Sequence, residues 1–175
     1  MAKIRKMLGD IKSAECINLM NLIETQSHET LSKWAINYAE ENYLSIFLEE
    51  VPQDDSLKSA IAACREYLGG ERALKDIKPY LKTAAETARN ISDNPIAQAA
   101  ARALSTACAV VQTPTNSLGF LFYGAAAYAY HKLGLSETSE NYDKAAKEEL
   151  QKAFDELKKV SVQDEPNPAK INWNC

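Results

Sequence analysis

The segment Asn94–Leu133, NPIAQAAARALSTACAVVQTPTNSLGFLFYGAAAYAYHKL, decides the fold of this chain. Asn94 followed by Pro95 predicts a helix start, because asparagine caps free backbone N–H groups and proline is favoured in the first helical position. Thr113-Pro114-Thr115 predicts a turn, and residues Leu118–Leu133 are apolar on nearly every face. We therefore predict two central helices, one on each side of this turn, packed as an antiparallel pair.

The rest of the chain has apolar residues at three- and four-residue spacing, which is typical of amphipathic helices. Ser13 and Ser27 predict two helix starts, and Gly69-Gly70 predicts a helix end. Pro79 interrupts another helical pattern, so we expect a kink or a break there. The predicted fold is all-α, a single compact multi-helix bundle with a central apolar antiparallel helix pair.

The sequence also predicts where the bundle ends. A last amphipathic helix covers roughly Ser139 to Val160, and Pro166 and Pro168 follow it. We expect residues 1–160 to form the helical bundle domain. We expect residues 161–175 to form an extended C-terminal tail, packed on the domain through Ile171 and Trp173.

Composition restricts the classes of partner. The chain has 175 residues, 46% hydrophobic and 25% charged, with a net charge of −4, which indicates an ordinary globular domain and argues against a nucleic-acid partner. Leu118–Tyr130, the longest apolar run, is too short to span a membrane. Cys16, Cys64, Cys108 and Cys175 form no C-x-x-C pair and indicate reduced thiols, so we predict a cytoplasmic protein without a membrane partner.

No catalytic or metal-binding motif is recognisable. A carboxylate-bridged di-iron bundle needs Glu-x-x-His, and neither His28 nor His131 has a glutamate three residues before it. Nucleophile-elbow, phosphate-loop and zinc-protease patterns are also missing. We predict no catalytic residue, no metal site and no cofactor, and we predict that the protein is not an enzyme.

One stripe on the helix from Asn94 stands out, because its other faces carry mostly small or apolar residues. At 100° per residue, one narrow arc contains Asn94, Gln98, Arg102, Ser105 and Gln112. This stripe is either a solvated face or a partner-binding face, and Arg102 could alternatively be buried against a carboxylate.

Four stretches resemble one known protein family: KWAINYAEENYLSIFLEE (33–50), SAIAACREYLGGE (59–71), Asn94–Tyr130 and the tail EPNPAKINWNC. The chain is similar to the immunity proteins of bacterial polymorphic toxin systems, and the similarity is strongest from Trp34 to Leu135. The resemblance implies a helical cytosolic bacterial protein that protects its producer by binding a toxin domain.

The chain departs from the family pattern at several positions. Related sequences carry histidines near the positions of Gln112 and Asn116, and an Arg-Pro-Arg run where this chain has Ser56-Leu57-Lys58. If those histidines act chemically in relatives, this chain lacks that chemistry. Arg65 stands where the family has an arginine, so the resemblance carries over its position, and an internal ion pair is an equal alternative.

These observations lead to a set of candidate partner-binding residues. The net charge of −4 favours an acidic contact surface, for which an Asp-Asp corner is the electrostatic candidate, and the polar stripe through Arg102 is a separate, geometric candidate. The alternatives are a small-molecule binder or enzyme with a polar pocket, and a homo-oligomeric structural protein. The candidate residues are Asp54, Asp55, Arg65, Gln98, Arg102, Gln112 and Asn116.

Overall fold

The computed structural model describes residues 3–174, and this part of the chain is helical without any strand, which confirms the all-α prediction. In chain order the helices are α1 (Ala14–Ile23), α2 (His28–Ala39), a π-helical segment (Glu40–Leu44), α3 (Ser45–Glu50), α4 (Ser56–Leu68), α5 (Leu74–Asn90), α6 (Pro95–Ala109), α7 (Asn116–Leu133) and α8 (Ser139–Val160).

The predicted capping residues start their helices. Ser13 Oγ accepts a hydrogen bond from the Cys16 N–H at 3.3 Å, and Ser27 Oγ accepts one from the Thr30 N–H at 3.1 Å. Asn94 Oδ1 accepts from the Ala97 N–H at 3.0 Å, directly before the proline at the first position of α6. These side chains satisfy backbone donors that have no partner within the helix.

A π-helical segment between α2 and α3 was not predicted. The helix that starts after Ser27 runs to Glu50 in one continuous path, with Glu40–Leu44 wound wider than an α-helix. A π-turn inserts one residue into the helical repeat and so turns the following side chains to a new direction. Here the wider turn carries Tyr43, whose side chain is completely buried.

The expectation of a break at Pro79 is wrong, because α5 is continuous from Leu74 to Asn90. Proline removes the hydrogen bond that would reach the carbonyl of Lys75. Both Lys75 and Pro79 are exposed, so water can satisfy that carbonyl and the helix continues. The Thr83 hydroxyl also donates to the Pro79 carbonyl at 3.0 Å.

Helices α6 and α7 form the predicted central pair. They pack against each other more extensively than any other two helices, and small residues such as Ala100 and Ala126 are fully buried. Such residues let two helix axes approach closely, which maximises dispersion contacts. Helices α2, α3, α4 and α5 pack on α6, while α8 packs on α7 and α1 packs on α8.

Both ends of the described chain pack on this bundle. Near the amino terminus, Leu8 is 1% exposed and its N–H donates to the Phe122 carbonyl at 3.1 Å. Near the carboxyl terminus, the Ala169 N–H donates to the Gln26 carbonyl at 2.8 Å. Within residues 3–174, no helix is both long enough and apolar enough to cross a lipid bilayer.

Candidate functional site

The two aspartates predicted as an acidic corner lie just before α4. Asp54 Oδ1 accepts from the Ser56 N–H at 2.9 Å and from the Ser56 hydroxyl at 2.6 Å, so this carboxylate holds the first turn of α4. Asp55 is exposed and lines a small groove with Ser59 and Tyr80. Of the two carboxylates, Asp55 is therefore the freer to meet a partner.

Arg65 is bound by two side chains of the continuous helix α2–α3. It forms a bidentate ion pair with Glu40, at 2.9 and 2.7 Å, and also donates to Asn37 Oδ1 at 2.9 Å. The hydrogen bond that Arg65 donates to Glu40 is the main cause of a raised Arg65 pKa. This geometry ties α4 to the start of the π-helical segment and leaves Arg65 half-exposed.

In the polar stripe on α6, Gln98 and Arg102 are half-buried, and one of their buried polar atoms has no hydrogen-bond partner in the described chain. Gln98 Nε2 donates to the Ile91 carbonyl, which fixes the loop before α6. The Arg102 guanidinium lies over the Tyr123 ring of α7, with Cζ 5.9 Å from the ring centroid. Arg102 Nε is shielded from solvent and has no hydrogen-bond acceptor among residues 3–174. Arg102 forms no ion pair within that range, so the alternative of a buried pair with a carboxylate does not hold there.

An open groove of about 770 Å³ lies between α5 and the carboxyl end of α6, and we call it the α5–α6 groove. Gln112 is on its rim. Asn116, at the start of α7, reaches the Ala109 carbonyl at 3.5 Å and so lies at the same end. The lining residues are Lys75, Lys78, Pro79, Leu81, Lys82, Ala109 and Gln112.

The lysines of this groove were missed by sequence reasoning, whose candidates were the acidic corner, Arg65, Asn116 and the polar stripe that begins on α6. A signal was available, because spacings of three and four residues place Lys75, Lys78 and Lys82 on one face of a helix. Only the packing of α5 against α6 shows that this face borders Gln112.

The structure does not bring the seven candidate residues into one pocket. Arg65 lines a different groove from Gln112, together with Lys33 and Gly69. The grooves lined by Asp55 and by Gln112 adjoin, because Pro79 of α5 lines both of them. The pocket expected for a small-molecule enzyme would need Arg65, Arg102, Gln112 and Asn116 to converge, and Arg65 lies apart from the α5–α6 groove.

Comparison with models of known protein families identifies the family of this chain. The profile described as "Imm-5 like putative immunity protein" matches residues 21–159, most of the chain, from the end of α1 to the end of α8. The chain belongs to this immunity-protein family. Comparison with curated proteins and with solved structures finds no significant match. All seven candidate residues of this family member lie within the matched segment.

The family member also contains a buried polar cluster that the sequence did not reveal. Glu149 of α8 is 2% exposed, and its Oε2 accepts hydrogen bonds from the Tyr38 hydroxyl at 2.8 Å and the Tyr43 hydroxyl at 2.6 Å. We call these three residues the Glu149 cluster. Burial raises the pKa of Glu149, although the two hydroxyl donors favour its charged form. The cluster joins the π-helical segment to α8.

The cysteines that the structure describes in this immunity-family chain lie in its core. Cys16, Cys64 and Cys108 are buried free thiols, and Cys175 lies outside the described residues. The neighbouring Cys64 thiol and burial raise the pKa of Cys108, which keeps it protonated. Within residues 3–174 no three His, Cys, Asp or Glu side chains are grouped as metal ligands.

Proposed function

We propose that this protein is an immunity protein that binds a cognate bacterial toxin domain in a stoichiometric complex and neutralises it in the cytoplasm of the producing cell. The observation that carries this proposal is the family profile, which matches residues 21–159. A protein inhibitor needs a rigid surface complementary to its target, because a preformed surface loses little conformational entropy on binding. The closely packed α6–α7 pair is such a support.

The proposed contact face centres on the first half of α5 and the neighbouring part of α6. Asp55 lies on one side of α5 and Gln112 on the other, with Pro79 between their grooves. Arg102 and Gln98 extend this face along α6, and both are only half-buried on a helix whose other side is core. We propose that one partner contacts both sides of α5.

Coexpression tests the proposal directly. The toxin domain encoded beside this gene is expressed alone, with this protein, and with an unrelated helical protein of similar size. We expect survival only with this protein, and a stable one-to-one complex on gel filtration with light scattering. Cell death despite coexpression, or no complex with a toxin domain shown to be folded, would refute the proposal.

The same experiment separates the alternative functions. An enzyme that destroys the toxin's product would protect cells without forming a complex. A homo-oligomeric structural protein would assemble alone and give no protection. In either case the contact face described above would lose its basis.

A further inference from the structure

The α5–α6 groove concentrates positive charge that the chain itself does not neutralise. Lys75, Lys78 and Lys82 are exposed, and none forms an ion pair with any side chain in residues 3–174. At 100° per residue, Arg89 falls with them in an arc of roughly 60°. Glu86 also lies near this arc, and it pairs with none of the four cations.

Several cations elsewhere on the bundle are neutralised by a carboxylate of the chain itself. Lys33 pairs with Glu29 at 2.7 Å, Lys159 pairs with Glu156 at 2.8 Å, and Arg65 pairs with Glu40. The whole chain carries a net charge of −4, so this row of cations has the sign opposite to the net charge. A patch whose sign is opposite to the net charge can attract a complementary patch on a partner at short range.

The groove also has the shape and the free donors that a partner side chain needs. Its floor includes Leu81 and Ala109, and the lysines stand on its rim. Seven residues before Ala109 on the same face of α6, Arg102 lies against Tyr123 with its Nε donor unfilled within the described chain. A carboxylate in the groove would meet lysine ammonium groups, and a second carboxylate about 10 Å along α6 would meet a guanidinium that lies over an aromatic ring.

We infer that the α5–α6 groove is the docking surface for an acidic segment of the protein partner, whose carboxylates pair with Lys75, Lys78 and Lys82 and whose leading residue reaches Arg102. This inference rests on the proposed function and names the partner's chemistry. It assigns the electrostatic attraction to a positive surface, whereas the net charge alone favoured the Asp54-Asp55 corner.

A folded protein fits this surface better than a nucleic acid does. The long-range field of a chain with a net charge of −4 repels a uniformly charged polyanion. A protein can present a local acidic patch on a nearly neutral body, so the short-range attraction at the groove is not cancelled at longer distance. The apolar floor of Leu81 and Ala109 also suits aliphatic side chains beside the carboxylates.

The test compares two triple variants with equal change in net charge. The first is Lys75→Glu, Lys78→Glu and Lys82→Glu. The control is Lys12→Glu, Lys144→Glu and Lys170→Glu, at exposed positions outside the groove. Association with the purified neighbouring toxin domain is measured at low and at physiological salt, for wild type and for both variants, after circular dichroism has shown that each is folded.

We expect the association rate constant of the groove variant at low salt to be lower than that of wild type by a factor of about ten or more. The rate constant of this variant should also depend much less on salt concentration. The control variant should change much less. A groove variant that binds as wild type does, or more tightly, overturns the docking inference while the proposed function stands. If wild type itself does not bind, the proposed function has failed instead.

Two further arms identify the partner chemistry. Poly-L-glutamate should compete with the toxin domain for wild type and lose this effect with the groove variant. A duplex DNA that competes more strongly than poly-L-glutamate at equal charge would overturn the choice of an acidic protein. A third variant tests the acidic corner by combining Asp54→Asn with Asp55→Lys, and the asparagine keeps the oxygen that accepts the Ser56 N–H at the start of α4. If this variant associates more slowly than the groove variant does, the electrostatic attraction comes from the acidic corner and not from the groove.

Discussion

The Glu149 cluster and the α5–α6 groove show two opposite treatments of charged side chains in one bundle. Glu149 is buried and receives two hydroxyl donors, from Tyr38 and Tyr43. The lysines of the groove are exposed and have no carboxylate partner in residues 3–174. A buried carboxyl group with internal hydrogen-bond donors connects elements of the fold, whereas an exposed cation without an internal partner is available to another molecule.

This contrast predicts that substitutions at the two regions will separate stability from binding. Changes in the Glu149 cluster should lower the free energy of unfolding, because they break packing and buried hydrogen bonds. Changes on the groove side should leave stability nearly unchanged and affect association with the partner.

The largest expected effect comes from Gly124→Ala in α7. A Cβ at this position would overlap the ring and hydroxyl of Tyr43, which is completely buried and cannot move without breaking its bond to Glu149. We expect a loss of about 3 kcal/mol or more in the free energy of unfolding, measured with urea.

Gly119→Ala, five residues earlier in the same helix, is the matched control. The nearest atom to its added Cβ would be Thr106 Cγ2 at 3.9 Å, an ordinary contact distance. Alanine is the better helix former, so a gain of about 0.5 to 1 kcal/mol is expected. Equal losses in both variants would show that the Tyr43 ring does not press on Gly124.

The second effect is a pH dependence centred on Glu149. Burial raises the folded-state pKa of this carboxyl above the usual glutamate value of about 4.3, so the folded chain holds the proton more tightly than the unfolded chain does. The resulting contribution to stability is complete below that usual value and is lost as pH rises through the raised pKa.

Glu149→Gln removes this titration and keeps a polar side chain of similar size. We expect wild-type stability minus variant stability to fall as pH rises from about 4 towards neutrality, because only the wild type loses the stability that protonated Glu149 contributes. Urea unfolding at several pH values measures it, and Glu148→Gln, at an exposed neighbour on α8, is the control. A difference that stays constant with pH would contradict the raised pKa.

The sequence predicted the helices well because their signals are local. The caps at Ser13, Ser27 and Asn94 act within three residues, and the apolar period of α7 is read along one segment. The π-helical segment could not be predicted in this way. Its buried residue Tyr43 donates a hydrogen bond to Glu149, which lies 106 residues later in the chain, and no local pattern indicates this contact.

The site was less predictable for the same physical reason. The stripe containing Gln98 and Arg102 follows from helical geometry, and the structure shows both half-buried on α6. The identity of their neighbours depends on which face of α5 packs beside them, and no spacing within α5 states this. Asp54 was similarly ambiguous until its bonds to Ser56 identified a local capping role.

The third effect concerns the C-terminal tail. The division into a domain of residues 1–160 and a tail of residues 161–175 stays a prediction, and Gln26 offers a way to test it. Gln26 is 1% exposed, and its amide bonds the Val162 N–H at 2.7 Å and the Val162 carbonyl at 3.1 Å. Gln26→Ala should lower the free energy of unfolding by only about 1 kcal/mol, because the exposed backbone groups of Val162 can form hydrogen bonds with water instead.

Hydrogen exchange of the tail amides is the sharper measurement for Gln26→Ala. We expect faster exchange at Val162, which loses its side-chain partner, and at Ala169, whose N–H donates to the backbone carbonyl of residue 26. The amides of α6 and α7 should change little. Gln163→Ala, an exposed glutamine of the tail, is the control. Loss of protection throughout the bundle would show that the tail is part of the cooperative domain.

The smallest effect on stability is expected at Arg102, and it tests the contrast most directly. Its one described side-chain interaction is the contact with Tyr123, and a cation–π contact at a partly exposed site contributes about 0.5 to 1 kcal/mol. Arg102→Ala should therefore lower the free energy of unfolding by no more than about 1 kcal/mol. If Arg102 pairs with a partner carboxylate, the same variant should dissociate from the toxin domain at least tenfold faster, because the partner's charge is left buried and unpaired. Arg102→Lys restores the charge without the planar donor geometry and should recover only part of the residence time. If Arg102→Ala lowers the free energy of unfolding and leaves the dissociation rate unchanged, Arg102 acts like Glu149, through interactions within the fold and not with a partner.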